Sequence, residues 1–141
     1  MTTTLESPTA NGTTSGMHQS SLVCVRQVKG KGRGVFARTA ISKGAIIEHS
    51  PVLIVPNKEM VGGLANPILQ KYFYIWTRTS VAVSLGYGSL YNHSYRPNAN
   101  YEHARASLIY RALRDIKAGE EITINYNGDP KDRSPMAFDV V

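Results

Sequence analysis

LGYGSLYNHSYRPN, residues 85–98, is the stretch on which the reading of this 141-residue chain turns. Glycines at 86 and 88 and a proline at 97 mark it as an irregular loop between apolar runs. Within seven residues it carries Asn92, His93, Ser94 and Asn98, a dense set of donors and acceptors. Such a loop either fixes its own shape through side-chain hydrogen bonds or reads a polar ring edge of a ligand, and the residues alone leave both open. Upstream lies GKGRGVFA, residues 30–37, and downstream AGEEITINY, residues 118–126. Gly30, Gly32 and Gly34 serve a tight strand connection or a close backbone approach to a ligand. They do not match the phosphate-binding fingerprints, because no Lys-Ser/Thr pair follows and no helix is expected there. Glu120 and Glu121 read as a solvated turn, since adjacent strand residues face opposite ways and cannot readily flank one bond. Tyr126 ends an alternating strand, where an aromatic is ordinarily half-buried.

Working outward from these three segments, the chain reads as short strands. LVCVRQV at 22–28, GVFARTA at 34–40 and AIIEHSPVLIV at 45–55 are β-branched runs separated by glycine clusters. NYEHARASLIYRAL, residues 100–113, alternates as a hairpin arm, and one more short strand precedes Tyr126. Residues 57–78 depart from this pattern: Leu64, Ile68, Leu69, Tyr72, Phe73 and Trp76 recur at three- and four-residue spacings, which predicts a helix of two to four turns with Pro67 near its start. The expected fold is therefore mainly β, built of several small sheets with one short inserted helix.

Residues 1–20 are rich in Thr, Ser, Gly and Asn and read as a disordered tail, because they have little apolar surface to bury. Their composition lacks the basic and apolar regions of a secretory signal. No apolar run approaches the roughly 20 residues that cross a bilayer. A cytoplasmic location is expected, with nuclear or nucleoid association as the variant. The single Cys24 excludes an internal disulfide and a multi-thiolate zinc site, and His18, His49, His93 and His103 are scattered, so no metal is expected. The formal charge of +6 is dispersed rather than in runs. It reads as a solvated face or as attraction to an acidic partner, with nucleic-acid binding non-specific at most.

Taken together and in order, the three segments resemble the SET-domain family of protein lysine methyltransferases. GRGVFA is similar to that family's N-terminal glycine motif, YNHSYRPN to its NHSxxPN motif and GEEITINY to its GEE(L/I)TxxY motif. The resemblance covers residues 21–130 and is nearest to compact single-domain viral and bacterial members. It implies a β-clip-like fold with a C-terminal pseudoknot. It also implies methyl transfer from S-adenosylmethionine, leaving S-adenosylhomocysteine, to a lysine of a partner protein, histone-like proteins being one class. Carried over by position, Lys31, Gly32, Arg33, Gly34, Asn92 and His93 would bind the cofactor, and Tyr126 would be the catalytic tyrosine. Tyr72, Tyr87, Tyr91 and Tyr101 would wall the substrate channel. Residues 131–141, with Phe138, would close it by packing, since the cysteines that bind zinc in many histone-directed members are absent. Two departures stand out: Asn125 replaces the usual aspartate, and the chain is basic where histone-tail binders present acidic grooves. Competing readings are a catalytically inactive SET-shaped interaction module and a small basic nucleic-acid-binding β domain. Monomer and homodimer are equally compatible with the sequence.

Overall fold

The computed structural model describes residues 18–60, 62 and 66–136. Nine strands follow in order: β1 (Val23–Val28), β2 (Gly32–Ala37), β3 (Ile46–Pro56), β4 (Phe73–Thr77), β5 (Ser80–Ser84), β6 (Asn92–His93), β7 (Ala99–Ala104), β8 (Ser107–Ala112) and β9 (Glu121–Ile124). They form a four-stranded sheet, β1-β2-β9-β6, and a five-stranded sheet, β4-β5-β3-β8-β7. The mainly β expectation holds, and the β-branched runs at 22–28 and 45–55 become β1 and β3. The expected disorder of residues 1–20 falls almost wholly outside the described residues.

The β1–β2 hairpin turns at Lys29–Lys31, where Gly30 and Gly32 adopt φ of +79° and +78°, a region that costs a residue with a Cβ about 1–2 kcal/mol. Strand β3 is long enough to pair twice: its first half lies against β8 and its second half against β5. A register irregularity between Ile46 and Glu48 accompanies two consecutive buried side chains, Ile47 and Glu48, which a regular alternating strand would not give. The core joins Val23, Val35 and Ala37 of the first sheet to Ile47, Leu108 and Tyr110 of the second, with Ile122 and Ile124 of β9.

The inserted segment differs from expectation. Instead of a helix of two to four turns, the described part of 57–78 has single 3-10 turns at Asn57–Glu59 and Leu69–Lys71, then strand β4. The reason is visible in the residues. Phe73-Tyr74-Ile75-Trp76 is an aromatic and β-branched run, and its partner SVAVS follows within hairpin distance. A helix would also have buried the apolar stripe, yet Ile68 stays 68% exposed.

Strand β9 lies between β2, antiparallel, and β6, parallel. Its remaining backbone groups are met by a side chain: buried Asn98 donates Nδ2 to the Glu121 carbonyl at 2.8 Å and accepts the Thr123 amide on Oδ1 at 2.9 Å. Asn98 thus substitutes for a further strand. Asn98→Ala leaves both backbone groups without partners and should lower stability by about 2–3 kcal/mol. The check is a urea transition whose midpoint falls at unchanged slope.

Candidate active site

A cavity of about 1210 Å³ opens between the two sheets and gathers residues far apart in sequence. One wall is the backbone of Gly30–Arg33, a second is Asn92 and His93, and Tyr126 stands between them and the aromatic residues of β4 and β7. All three sequence motifs therefore reach one cleft.

Asn92 ties two of those walls together. Its Nδ2 donates to the Arg33 carbonyl at 3.0 Å and to Glu121 Oε1 at 2.7 Å. Lys31 Nζ lies 3.9 Å from the other Glu121 oxygen. Gly34 sits where these meet, and a Cβ built there would fall 2.7–2.9 Å from Glu121 Oε1, Val28 Cγ2 and Asn92 Nδ2. Gly34 is a close-approach glycine, whereas Gly30 and Gly32 are turn glycines.

The two glutamates turn out unlike each other. Glu120 behaves as the solvated turn residue that the sequence suggests: it accepts the Lys117 amide at 2.8 Å and pairs with Arg114 at 2.7 Å, and the Arg114 guanidinium holds its carboxyl below the usual range. Glu121 is instead the anchor of Asn92. It lies opposite Phe36 at the start of β9, with its carboxylate beside Gly34 of the glycine segment.

His93 is 4% exposed and accepts the Tyr126 amide on Nδ1 at 3.0 Å. Burial, and secondarily the charge of Lys31, lower its pKa from the usual 6.5. Burial lowers that of His103 as well. At these two histidines the folded protein binds fewer protons than the unfolded chain below about pH 6.5, so their contribution to stability falls as pH drops through that range, with buried Glu48, its pKa raised, opposing them toward acid pH. Protonation at Nδ1 also removes the acceptor that holds the Tyr126 amide. Unfolding midpoints recorded from pH 8 to pH 5 should decline below about 6.5, and His93→Leu should flatten the profile while starting lower.

Tyr126 follows directly from this anchoring. Its hydroxyl donates to the main-chain carbonyl of Tyr91. Burial first, then the charges of Glu121 and Tyr72, push its pKa up to about 12. The phenol is neutral at every physiological pH, and having donated its proton it keeps acceptor capacity on oxygen. It can orient an N–H group but is a poor base.

Among the expected channel residues, Tyr72 and Tyr101 line the cleft. The Tyr101 hydroxyl lies 3.5 Å from the Tyr126 carbonyl. Tyr91 reaches the cleft chiefly through its backbone: its ring is 1% exposed, stacks on Tyr110 with centroids 4.6 Å apart, and its hydroxyl donates to Glu48 at 2.9 Å. Tyr87 instead lines a separate cavity of about 470 Å³; its hydroxyl accepts from Gln19 at 2.7 Å and its amide donates to Glu48 Oε2. Phe138 lies outside the described residues.

Three contributors were not singled out from sequence. Glu48, 3% exposed and with its pKa raised by burial, grips the 85–91 loop through the Tyr87 amide and the Tyr91 hydroxyl. Tyr74 donates to the Gly88 carbonyl and accepts from Tyr110 at 2.9 Å. Gly88 has no room for a Cβ against Ser84 and Tyr110. Together they hold the carbonyl that holds Tyr126. Among the described residues no group of three or more His, Cys, Asp or Glu is placed to hold a metal, and no helix is long and apolar enough to cross a membrane.

Comparison with known proteins gives a consistent result. The SET domain family matches residues 32–127. A Schizosaccharomyces pombe histone-lysine N-methyltransferase, H3 lysine-37 specific, is 36% identical over 104 residues, covering 72% of this chain and 71% of that protein. An N-lysine methyltransferase of Danio rerio is 32% identical over 137 residues, covering 86% of this chain but 38% of its own length. A solved Plasmodium falciparum structure, described as a candidate histone methyltransferase, superimposes with a TM-score of 0.64 at 31% identity, over 78% of this chain and 95% of that one.

Proposed function

The chain belongs to the SET-domain family, and from that premise we propose that it is a protein-lysine methyltransferase that takes its methyl group from S-adenosylmethionine. In the reaction the methyl–sulfur bond breaks, an N–CH3 bond forms at a lysine Nζ, and the amine's proton passes to solvent. The observation that carries this reading is the convergence of Gly32–Arg33, Asn92–His93 and Tyr126 on one cleft.

The cleft suits the methyl donor on size and on donor set. Drug-sized ligands occupy about 300–1,000 Å³, so roughly 1210 Å³ leaves room for a cofactor and an entering side chain. Lys31 and Arg33 offer cations for an amino-acid carboxylate, and the backbone beside Asn92 and His93 offers groups for a purine edge. When bound, S-adenosylmethionine supplies an electrophilic methyl on a positively charged sulfur.

The rest falls to the protein. A lysine of pKa about 10.4 must present a neutral amine, which at pH 7 costs roughly 4.6 kcal/mol. The aromatic walls from Tyr72, Tyr74 and Tyr101 disfavour the ammonium by desolvation, and the cationic side chains of the cleft lower its pKa in the same direction. The Tyr126 hydroxyl, fixed by the Tyr91 carbonyl, then accepts from the amine and aims its lone pair along the methyl–sulfur axis. Tyr126 orients rather than deprotonates, because a phenol near pKa 12 supplies almost no phenolate.

The test is incubation of the purified chain with methyl-labelled S-adenosylmethionine and mixed lysine-bearing proteins, histones included. Label appearing on lysine Nζ supports the proposal. Label retained wholly on the cofactor, with folded protein and every class of substrate offered, would overturn it in favour of an inactive interaction module.

A further inference from the structure

The charges around the cleft are one-sided. Its lining includes Lys31, Arg33 and Lys71, and none of the described carboxylates. The carboxylates nearest to it are otherwise engaged. Glu121 serves Asn92 and Lys31. Glu102 lies between cleft-lining Tyr101 and His103 on β7, so alternation turns it to the other face, where it pairs with Arg111 at 2.9 Å. Asp129 and Asp132 accept the backbone amides of Lys131 and Ser134, in a loop where Lys131 and Arg133 balance them. Among the described residues neither Arg33 nor Lys71 forms an ion pair. Lys71 ends the 3-10 turn that leads into Tyr72, another residue of the cleft lining.

Resting on the methyltransferase reading above, we propose that the preferred substrate is a lysine flanked by acidic residues, not one within a basic tail. Two physical arguments converge. Positive charge around the amine lowers its pKa and so favours the reactive neutral form. The same charge repels lysine and arginine on either side of the target and attracts aspartate and glutamate. A bound cofactor reinforces this, since its carboxylate offsets one cation while its ammonium and sulfonium add two. Lys71 is the residue best situated to read the flanks, because Lys31 is shared with Glu121, and Arg33 lies on the glycine wall.

The experiment uses the full chain and two peptides of equal length with the same central lysine, one flanked by Asp and Glu, the other by Lys and Arg. At about 20 mM salt, where screening is weak, kcat/KM for the acidic peptide should exceed that for the basic one on the order of tenfold. At about 500 mM the ratio should approach unity. Lys71→Glu should remove or reverse the preference, read as the ratio of kcat/KM for the two peptides, in which any change in turnover common to both cancels. Equal or better turnover of the basic peptide at low salt overturns the inference and leaves the methyltransferase reading intact, as does an acidic preference insensitive to both salt and Lys71→Glu. No transfer to either peptide or to mixed histones, by folded protein, overturns both.

Discussion

Tyr126→Phe should lower kcat for methyl transfer by about 100-fold or more while leaving cofactor affinity within about threefold, the usual scale for losing one preorganised polar group that acts in the transition state. The ring stays in place, because the backbone amide held by His93 Nδ1 fixes the residue independently of its hydroxyl. What disappears is the oxygen held by the Tyr91 carbonyl, and with it the acceptor that aims the amine. Single-turnover transfer separates this from binding, and an unchanged unfolding midpoint separates it from instability. The wild-type pH profile carries a second signature. With the phenol at about 12, no limb between pH 7 and pH 10 should belong to Tyr126, and the rise with pH should track the lysine amine alone.

Asn92→Ala should weaken cofactor binding by about 100-fold, corresponding to about 2.7 kcal/mol, and lower stability as well. The substitution removes the hydrogen bond to the Arg33 carbonyl and the charge-assisted bond to Glu121, and the latter kind alone is worth about 1.5–3 kcal/mol. The glycine wall then loses its tie to β9, and Glu121 is left to Lys31. Asn92→Asp should be worse than alanine despite its smaller change in shape. It sets a carboxylate oxygen against both the Glu121 carboxylate, at what is now a 2.7 Å approach, and the Arg33 carbonyl. Titration calorimetry on both variants, below their unfolding temperatures, checks the order wild type, alanine, aspartate.

Why some features were legible in the sequence and others were not follows from the range of the interactions involved. Strands β1, β3, β7 and β8 are written locally, in β-branched runs and alternation, and needed nothing else. The helix expected over 57–78 fails because three- and four-residue spacing can arise by chance in a segment whose apolar side chains are not buried, as Ile68 and Ile75 show at 68% and 63% exposure. Gly34 resembled Gly30 and Gly32 in sequence, yet its reason is a crowding by Val28, Asn92 and Glu121 that only the assembled sheets create. Glu121 was hidden by its neighbour: treating the two glutamates as a pair obscured that one faces solvent and the other faces Asn92. Glu48 was hidden by alternation, because the irregularity at 46–48 that buries it depends on pairing with β8. The cleft itself could be anticipated only through the joint order of three motifs, since its residues lie on strands that pair out of sequence order.

The most direct measurement is calorimetric titration of the purified chain with S-adenosylmethionine, with S-adenosylhomocysteine as the paired ligand and Asn92→Ala as the control. The account requires saturable one-to-one binding of both ligands, near micromolar dissociation constants for wild type and about 100-fold weaker for the variant. Absence of binding heat and of any ligand-induced rise in Tm, from wild type with a cooperative unfolding transition, would contradict the assignment of the cleft.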